Sequence, residues 1–326
     1  MSQYRFDFRV YSRLFKQPLL THYGIWKQRE GIIIRLISED HKISWGEIAP
    51  LPWFGSENMQ QALVFCQALS GKISWEQIQA IPNSLPACQF GFESALEGFN
   101  LSLFQSILNP INQNTKKINY SYLLPTGKAA LEAWKKFDPQ QGTTFKWKIG
   151  IDNIFEEIRI FEDLITELPP GIRLRLDGNG GLNLEEARLW LKIADQSRIV
   201  EFIEQPLSMA EFDSMVQLSE EYHTPLALDE SVSNLTQLEQ CYHQGWRGIF
   251  IIKAAIAGFP SRLRQLCRIY PLDLVFSSVF ETKIAREYIL TLVAELVQSD
   301  RAMGLGIDHW FKDNETEFLS KIWKNS

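Results

Sequence analysis

From residue 118 onward the sequence repeats one pattern, a short apolar run followed by a helical pattern, and this repetition constrains the fold more than any other feature. Continuous apolar runs are typical of strands that are buried on both faces of a parallel sheet. The runs are Tyr120–Leu124, Thr144–Ile149, Ile172–Leu176, Ile199–Ile203, Pro225–Leu228, Gly248–Ile252, Leu272–Phe276 and, weakly, Ala302–Leu305. Eight strand–helix units favour a closed (β/α) barrel over the alternative, an open doubly wound sheet.

The first hundred residues lack this rhythm and predict a separate α+β domain. Tyr4–Tyr11 and Gly31–Ile37 are typical of strands, a helix is expected to follow Ser56, whose hydroxyl would cap it, and another covers Ala87–Phe104. The polar, Pro-containing segment 109–117 marks the domain junction. We therefore expect an α+β domain over residues 1–117, completed by residues 310–326, and a barrel domain over residues 118–309.

Composition narrows the classes of function. The 326 residues carry a formal net charge of −6 and no Lys/Arg-rich run, which argues against binding to nucleic acid or to a membrane surface. The charged N-terminus offers no apolar signal segment, and the four cysteines form no C-x-x-C pair. The cysteines are expected to be buried free thiols in a cytoplasmic protein. No G-x-G-x-x-G or G-x-x-x-x-G-K-[ST] motif supports a nucleotide site.

Five ionisable residues stand at or near the ends of five successive runs, 24 to 29 residues apart. They are Lys148, Asp177, Glu204, Asp229 and Lys253. The carboxyl ends of parallel barrel strands converge, so these side chains are expected to share one site. A single Asp or Lys after a strand usually solvates a loop or caps a helix, but five in succession are harder to explain in that way.

The residue types predict a metal site with acid–base chemistry. Three converging carboxylates need a compensating cation, and all-oxygen ligation favours Mg²⁺, with Mn²⁺ as the alternative. A lysine beside a cation and another lysine has a lowered pKa and becomes available as a base. Lys146 lies two residues before Lys148, so both side chains point into the barrel. Lys146 is expected to assist Lys148 electrostatically.

The motifs K-x-K at Lys146–Lys148, D-G-N at Asp177, E-Q-P at Glu204 and D-E-S at Asp229, with Lys253, resemble the enolase superfamily. Within it the chain is most similar to the muconate-lactonizing-enzyme-like subgroup and to its o-succinylbenzoate synthases. This resemblance covers nearly the whole chain and implies an α/β fold, a modified TIM (β/α) barrel with an N-terminal α+β capping domain. It implies Mg²⁺ ligation by the three carboxylates, Lys148 as acid and base, and Lys253 on the opposite side of the substrate. Residues implied to support the ligands are Asn179 and Glu230.

The same resemblance suggests substrate contacts. The segment Phe276–Glu281 is similar to the Ser-rich strand end that holds the succinyl carboxylate in this family, and 304–308 lacks the D-x-D pair of dipeptide epimerases. The implied substrate-binding residues are Ser277, Ser278, Gly304, Thr21, His22 and Tyr23, the last three in a loop that covers the substrate. His22 is expected to pack against substrate only. Trp147 and Trp310–Phe311 are interpreted as barrel packing.

The resemblance implies a lyase that dehydrates 2-succinyl-6-hydroxy-2,4-cyclohexadiene-1-carboxylate to o-succinylbenzoate in menaquinone or phylloquinone biosynthesis. The alternative is an isomerase of the same superfamily, an N-succinylamino acid racemase or dipeptide epimerase, in which both lysines act as bases. A second alternative is a non-catalytic binding protein that keeps the barrel. The expected partner is a small carboxylate substrate, and the sequence leaves the oligomeric state open.

Overall fold

The computed structural model describes residues 3–21, 24–69, 71–101, 118–137, 139 and 142–323. In the N-terminal part, four strands form an antiparallel sheet in the order β3-β2-β1-β4. They are β1 (Gln3–Thr21), β2 (Gly24–Ile37), β3 (Ile43–Ile48) and β4 (Lys72–Ser74). The two predicted strands lie within β1 and β2, which form one long hairpin from the Arg5–Ile37 pair to the Thr21–Gly24 pair.

Side chains alternate between the two faces of a strand, and each face of this sheet contributes buried side chains. Three helices follow the hairpin, α1 (Met59–Ala68), α2 (Trp75–Gln79) and α3 (Pro86–Leu101). Ile32 and Ile34 belong to the main core, on the side of α3. Ile33 lies on the opposite face and packs with Tyr11 and with Phe318 from the C-terminal segment. Helix α3 therefore covers one face of the sheet, and the C-terminal segment covers part of the other face.

The cap of α1 differs from the prediction. Asn58, not Ser56, caps this helix, and Asn58 and Gln61 exchange side-chain-to-backbone hydrogen bonds of 2.8 and 2.9 Å. Ser56 Oγ accepts a hydrogen bond from Leu51 N at 2.6 Å and so closes the preceding loop. Both residue types are good caps, so local sequence alone did not distinguish them.

Seven parallel strands form the second sheet, with neighbours in chain order. They are β5 (Ser121–Leu123), β6 (Thr144–Lys148), β7 (Arg173–Asp177), β8 (Val200–Glu204), β9 (Leu226–Leu228), β10 (Ile249–Ile252) and β11 (Asp273–Phe276). The weak eighth run forms no strand, but it closes the ring through two parallel bridges. Met303 pairs with Tyr120, and Gly304 pairs with Ser277. The predicted modified (β/α) barrel is thus confirmed.

Helices cover the outside of the barrel. They are α4 (Ala130–Ala133), α5 (Ile154–Glu167), α6 (Leu184–Ser197), α7 (Phe212–Glu221), α8 (Leu235–His243), α9 (Ala254–Ala257), α10 (Pro260–Ile269) and α11 (Lys283–Leu296), and α12 (Glu315–Ile322) follows the barrel. Asn183 forms a complete capping box at α6 and Asn234 caps α8. Trp147 is fully buried and packs against Trp190, so its interpretation as barrel packing is confirmed.

Polar contacts join the N-terminal sheet to the C-terminal part of the chain. Glu47, at the end of β3, accepts hydrogen bonds from Thr282 N and Thr282 Oγ1 at the start of α11, at 2.9 and 2.6 Å. Arg13 of β1 pairs with Asp313 and Glu315 in the C-terminal segment. The predicted domain junction at 109–117 lies outside the described residues. The four cysteines are free, and none of the described helices is long and apolar enough to cross a membrane.

Candidate active site

The five charged residues predicted from the strand ends meet at one end of the barrel. Lys148 pairs in register with Asp177, and Asp177 with Glu204, because these residues end β6, β7 and β8. Asp229 and Lys253 come directly after β9 and β10. β6 and β10 are the second and sixth segments of the ring, so the two lysines approach from opposite sides. The strand-end cluster comprises Lys146, Lys148, Asp177, Glu204, Asp229 and Lys253.

Ion pairs hold the strand-end cluster together. Lys146 Nζ lies 2.8 Å from Asp177 Oδ2 and 2.6 Å from Glu204 Oε1. Lys253 Nζ forms an ion pair with Asp229. The three carboxylate residues are at most 3% exposed, so their charges are desolvated and depend on these partners. Lys146 bridges two neighbouring strands, in keeping with its predicted electrostatic role.

Burial and the charges of neighbouring groups shift the pKa values of the strand-end cluster. Burial, with the nearby Asp177 carboxylate, raises the pKa of Glu204, and burial raises the pKa of Asp229 despite Lys253. Burial alone would lower the pKa of Lys146, but Asp177 and Glu204 outweigh it and raise that pKa. Two of the three carboxyl groups are therefore harder to deprotonate than usual, and additional positive charge nearby would favour the ionised form of both.

Asn179 and Glu230 lie beside the strand-end cluster, as the resemblance implies. Asn179 N donates to Asp177 Oδ1 at 3.1 Å, and Asn179 Nδ2 donates to Glu230 Oε1 at 3.1 Å. The backbone of Asn179 has φ = 43°, in the left-handed region that Asn tolerates better than most residues. The other Glu230 oxygen, Oε2, is buried without a hydrogen-bond partner in the described part of the chain. This oxygen is a free electron-pair donor inside the site.

A cavity of about 240 Å³ opens over the strand-end cluster. Its opposite end is lined by Ser277, Ser278 and Gly304. A methyl group on Gly304 would lie 3.0 Å from Ser277 Oγ, so the absence of a side chain keeps this end open. The three residues predicted from the seventh and eighth runs thus line the same cavity as both lysines.

Aromatic side chains close the cavity on its remaining side. The aromatic wall comprises Trp26, Trp53, Phe54, Phe280 and Trp310. The Trp26 ring centroid lies 5.1 Å from that of Trp53 and 5.4 Å from that of Phe280. The Phe54 ring centroid lies 3.7 Å from Lys253 Nζ, within the range of a cation–π contact. Trp310 packs against the buried cluster of Phe15, Ile307 and Phe311, as expected for a packing residue, and it also lines the cavity, which was not predicted.

Two family models match the chain, "Enolase C-terminal domain-like" over residues 129–317 and "MenC, N-terminal domain" over residues 5–99. An o-succinylbenzoate synthase from Thermosynechococcus vestitus is 38% identical over 310 residues, covering 94% of this chain and 93% of that protein. The chain belongs to the enolase superfamily.

Solved structures place it in the same superfamily. The crystal structure of o-succinylbenzoate synthase from Thermosynechococcus elongatus BP-1, complexed with Mg in its active site, matches with a TM-score of 0.85 and 36% identity. It covers 99% of this chain and 100% of that chain. An L-Ala-D/L-Glu epimerase from Bacillus subtilis matches with a TM-score of 0.75 at 20% identity, covering 96% of this chain and 92% of that one. The second likeness shows the shared enolase-superfamily fold alone.

Not every implied substrate contact of this superfamily member can be placed. His22 and Tyr23 lie outside the described residues, and Thr21 is described only as the last residue of β1. Trp26, further along the same hairpin, lines the cavity. Trp26 was not predicted as a site residue, because nothing in its local sequence pattern distinguishes a cavity residue from a core aromatic.

Gln205, the middle residue of the E-Q-P motif, is a second residue for which the sequence predicted no role. Its side chain is fully buried, and its Nε2 donates to Leu207 O and Ser231 Oγ, both at 2.9 Å. Its Oε1 accepts from Asp229 N at 3.0 Å and from Ser231 N at 3.2 Å. Gln205 therefore fixes the backbone that carries Asp229 relative to the preceding strand, which carries Glu204. Its position next to Glu204 was the one available signal.

The donor set suits an oxygen-liganded cation, although the carboxylates do not converge on a point. Across the described ranges, no group of three Asp, Glu, His or Cys side chains is arranged to hold a metal ion. Lysine ammonium groups instead lie against the Asp177, Glu204 and Asp229 carboxylates. These donors are nevertheless buried oxygens on adjacent strand ends, and the unpartnered Glu230 Oε2 lies beside them. Hard oxygen donors of this kind fit Mg²⁺.

Proposed function

We propose that this chain is an o-succinylbenzoate synthase, a Mg²⁺-dependent lyase that dehydrates 2-succinyl-6-hydroxy-2,4-cyclohexadiene-1-carboxylate in menaquinone or phylloquinone biosynthesis. The observation that carries this proposal is the 38% identity to a synthase over 94% of the chain. The match of residues 5–99 to the MenC N-terminal domain adds support from the part that supplies Trp26, Trp53 and Phe54 to the cavity. This support matters because one barrel fold serves many reactions.

Asp177, Glu204 and Asp229 are the residues that would hold Mg²⁺, with Asn179 and Glu230 supporting them. A bound ion would supply positive charge that stabilises the substrate carboxylate when the ring carbon that bears it loses its proton. Gln205 and Asn179 orient Asp229 and Asp177 through the hydrogen bonds described above. Lys146 stays cationic between two carboxylates and offsets part of their charge.

Lys148 carries the proton in the proposed reaction. Its neutral amine removes the hydrogen from the ring carbon that bears the carboxylate, which leaves an enediolate. The resulting ammonium group then gives that proton to the hydroxyl leaving the neighbouring ring carbon, so that water departs and the ring becomes aromatic. Lys148 ends as the neutral amine with which it began, and no other reactant is needed.

Lys253 is assigned to stabilising the enediolate from the other side of the substrate. Its ammonium group lies against Asp229 and over the Phe54 ring, two partners that suit a cation. A fixed positive charge near the developing negative charge lowers the barrier most when water is excluded. The aromatic wall supplies that exclusion.

The second candidate activity is racemisation of an N-succinylamino acid or epimerisation of a dipeptide. It is supported by the placement of Lys148 and Lys253 on opposite segments of the ring, which would allow one base on each face of the substrate. In that reaction Lys253 would itself remove a proton. The second candidate therefore differs from the first in the role of one lysine.

The deciding experiment is a turnover assay with the purified protein on the cyclohexadiene carboxylate. Activity should disappear with EDTA and return with excess Mg²⁺. A parallel assay measures exchange of the α-hydrogen of each enantiomer of an N-succinylamino acid in D₂O. Rapid exchange of both enantiomers with negligible dehydration would overturn the synthase assignment in favour of the racemase.

We also propose domain limits and a location. Residues 1–117 with 310–326 would form the capping domain and residues 118–309 the barrel, in keeping with the packing of Phe318 on the N-terminal sheet. The free cysteines suit the reducing cytoplasm. The expected partner is a small carboxylate substrate rather than nucleic acid or a membrane, and limited proteolysis that first cleaves within residues 109–117 would support the boundary.

A further inference from the structure

The two serines at the far end of the cavity differ in what their hydroxyl groups already contact. Ser278 Oγ donates to Glu281 Oε2 at 2.7 Å and accepts from Phe280 N at 2.8 Å. A serine hydroxyl has one proton, so that of Ser278 is committed within the loop. Within the described chain, Ser277 Oγ has no hydrogen-bond partner, and it faces the open space above Gly304.

Glu281 organises this loop from behind the cavity. Its side chain is fully buried, and its Oε2 also accepts a hydrogen bond from Val279 N at 2.8 Å. One buried carboxylate oxygen therefore holds both the Ser278 side chain and the backbone that follows it. Burying a carboxylate costs free energy unless hydrogen bonds compensate for its lost hydration. An apolar side chain would avoid this cost, so a glutamate at this core position indicates a role beyond packing.

The backbone conformation of Phe280 also depends on support from this loop. Its backbone has φ = 62°, a left-handed conformation that is strained for a bulky residue. Its ring belongs to the aromatic wall and lies 5.2 Å from Phe15 and 5.4 Å from Trp26, centroid to centroid. The hydrogen bond from Phe280 N to Ser278 Oγ helps to keep this conformation.

We propose that Glu281 is a positioning residue of this site, which through Ser278 and the strained Phe280 holds Ser277 and the aromatic wall in the shape that accepts a second substrate carboxylate. Ser277 supplies the hydroxyl that binds this carboxylate, and Ser278 supports the loop without binding it. The inference rests on the proposed function, because that substrate has a succinyl carboxylate distant from the reacting ring.

The test compares Ser277→Ala, Ser278→Ala, Glu281→Leu and Glu281→Gln with the wild-type protein. The measurements are kcat and KM for the cyclohexadiene carboxylate, the affinity for o-succinylbenzoate by titration calorimetry, and the thermal midpoint. Glu93→Leu is the matched control, since Glu93 is buried and accepts from Ser261 N at 2.9 Å and Ser261 Oγ at 2.8 Å, away from the cavity.

Ser278→Ala and Glu281→Leu should each raise KM and weaken product binding about tenfold, with kcat within about threefold of wild type. Their double variant should be no worse than the worse single variant, because both break the same support. Glu281→Gln keeps an acceptor oxygen and should stay within about threefold of wild type. Ser277→Ala should also raise KM, whereas Glu93→Leu should lower the thermal midpoint alone.

Four results would overturn the inference. Glu281→Leu with an unchanged KM would remove the positioning role, and additive effects of Ser278→Ala and Glu281→Leu would show that Ser278 binds the ligand directly. If Glu281→Leu does not fold, a Ser278→Ala variant that behaves like the Glu93→Leu control excludes the role by itself. A wild-type protein without dehydratase activity would refute the proposed function and this inference together, whereas an active wild type with an indifferent Glu281 refutes the inference alone.

Discussion

The strand-end cluster and the aromatic wall border the same cavity but are built in different ways. Each charged residue of the cluster except Lys146 stands at or directly after the end of one barrel strand, and Lys146 lies two residues before Lys148 in β6, so the register of neighbouring strands fixes their positions. The wall is assembled from distant segments: Trp26 comes from the N-terminal hairpin, Phe280 from the loop after β11, and Trp310 from beyond the barrel. The cluster therefore depends on one sheet, and the wall on the docking of two.

This difference assigns different tasks to the two regions. Backbone hydrogen bonds of a parallel barrel hold the cluster, which suits groups that must stay within fractions of an ångström for proton transfer. The wall depends on side-chain packing between separate segments, which tolerates substitution better. Substitutions in the cluster should then change the rate of the chemical step, and those in the wall should change substrate binding.

The largest effect is expected at Lys148. Lys148→Ala removes the proposed proton carrier and should lower kcat by about 10³-fold or more, because no other group takes its place. Lys192→Ala, an exposed lysine on α6, is the control and should leave kcat unchanged. Steady-state kinetics measures both. A Lys148→Ala variant that retains most of its activity would contradict the assignment of the base.

The carboxylates should come next. Asp177→Asn, Glu204→Gln and Asp229→Asn should each abolish turnover and weaken Mg²⁺ binding in titration calorimetry, since each removes one charged oxygen donor. Burial raises the pKa of Glu204, so its neutral replacement should keep or raise the thermal midpoint without Mg²⁺.

The control for this series is Glu185→Gln, an exposed carboxylate at the start of α6. It should bind Mg²⁺ and turn over substrate as the wild type does. Any variant of Asp177, Glu204 or Asp229 with unchanged Mg²⁺-dependent activity would remove that residue from the proposed ligand set.

Substitution of Lys253 distinguishes the two candidate reactions, and its effect on dehydratase activity should be smaller than that of the carboxylate variants. Lys253→Arg keeps the positive charge and should retain more dehydratase activity than Lys253→Ala, although the guanidinium is bulkier. In the racemase alternative, Arg cannot serve as a base, so exchange of one enantiomer would be lost in D₂O. Equal activities of the Arg and Ala variants would exclude a purely electrostatic role.

The smallest effect is expected in the wall. Phe54→Leu removes the aromatic face under Lys253 and should lower kcat/KM by about tenfold or less. This range corresponds to the free energy of a partly exposed cation–π contact. Phe54→Tyr keeps the face and should stay near wild type. A loss as large as that of Lys253→Ala would show that the wall, too, fixes the chemical step.

The same division explains what the sequence could predict. The charged residues were identifiable because a charge follows a buried apolar run five times in succession, at strand–helix intervals. The closing bridges at Met303 and Gly304 appeared only as a weak run, since two bridges need no strand-length pattern. Trp26 was missed, and the position of Trp310 in the cavity wall was not predicted. An aromatic residue has the same local sequence pattern in a core and in a cavity wall, and only the docking of the segments distinguishes the two.

The C-terminal segment covers part of the first sheet, although it is synthesised long after that sheet. Phe318 packs on the same face of the first sheet as Tyr11, and Asp313 pairs with Arg13. The residues that cover this face of the first sheet are therefore synthesised only after the barrel strands. Until then, the apolar face around Ile33 lacks its native cover, so a chain stopped before residue 313 would expose an apolar sheet face beside the barrel.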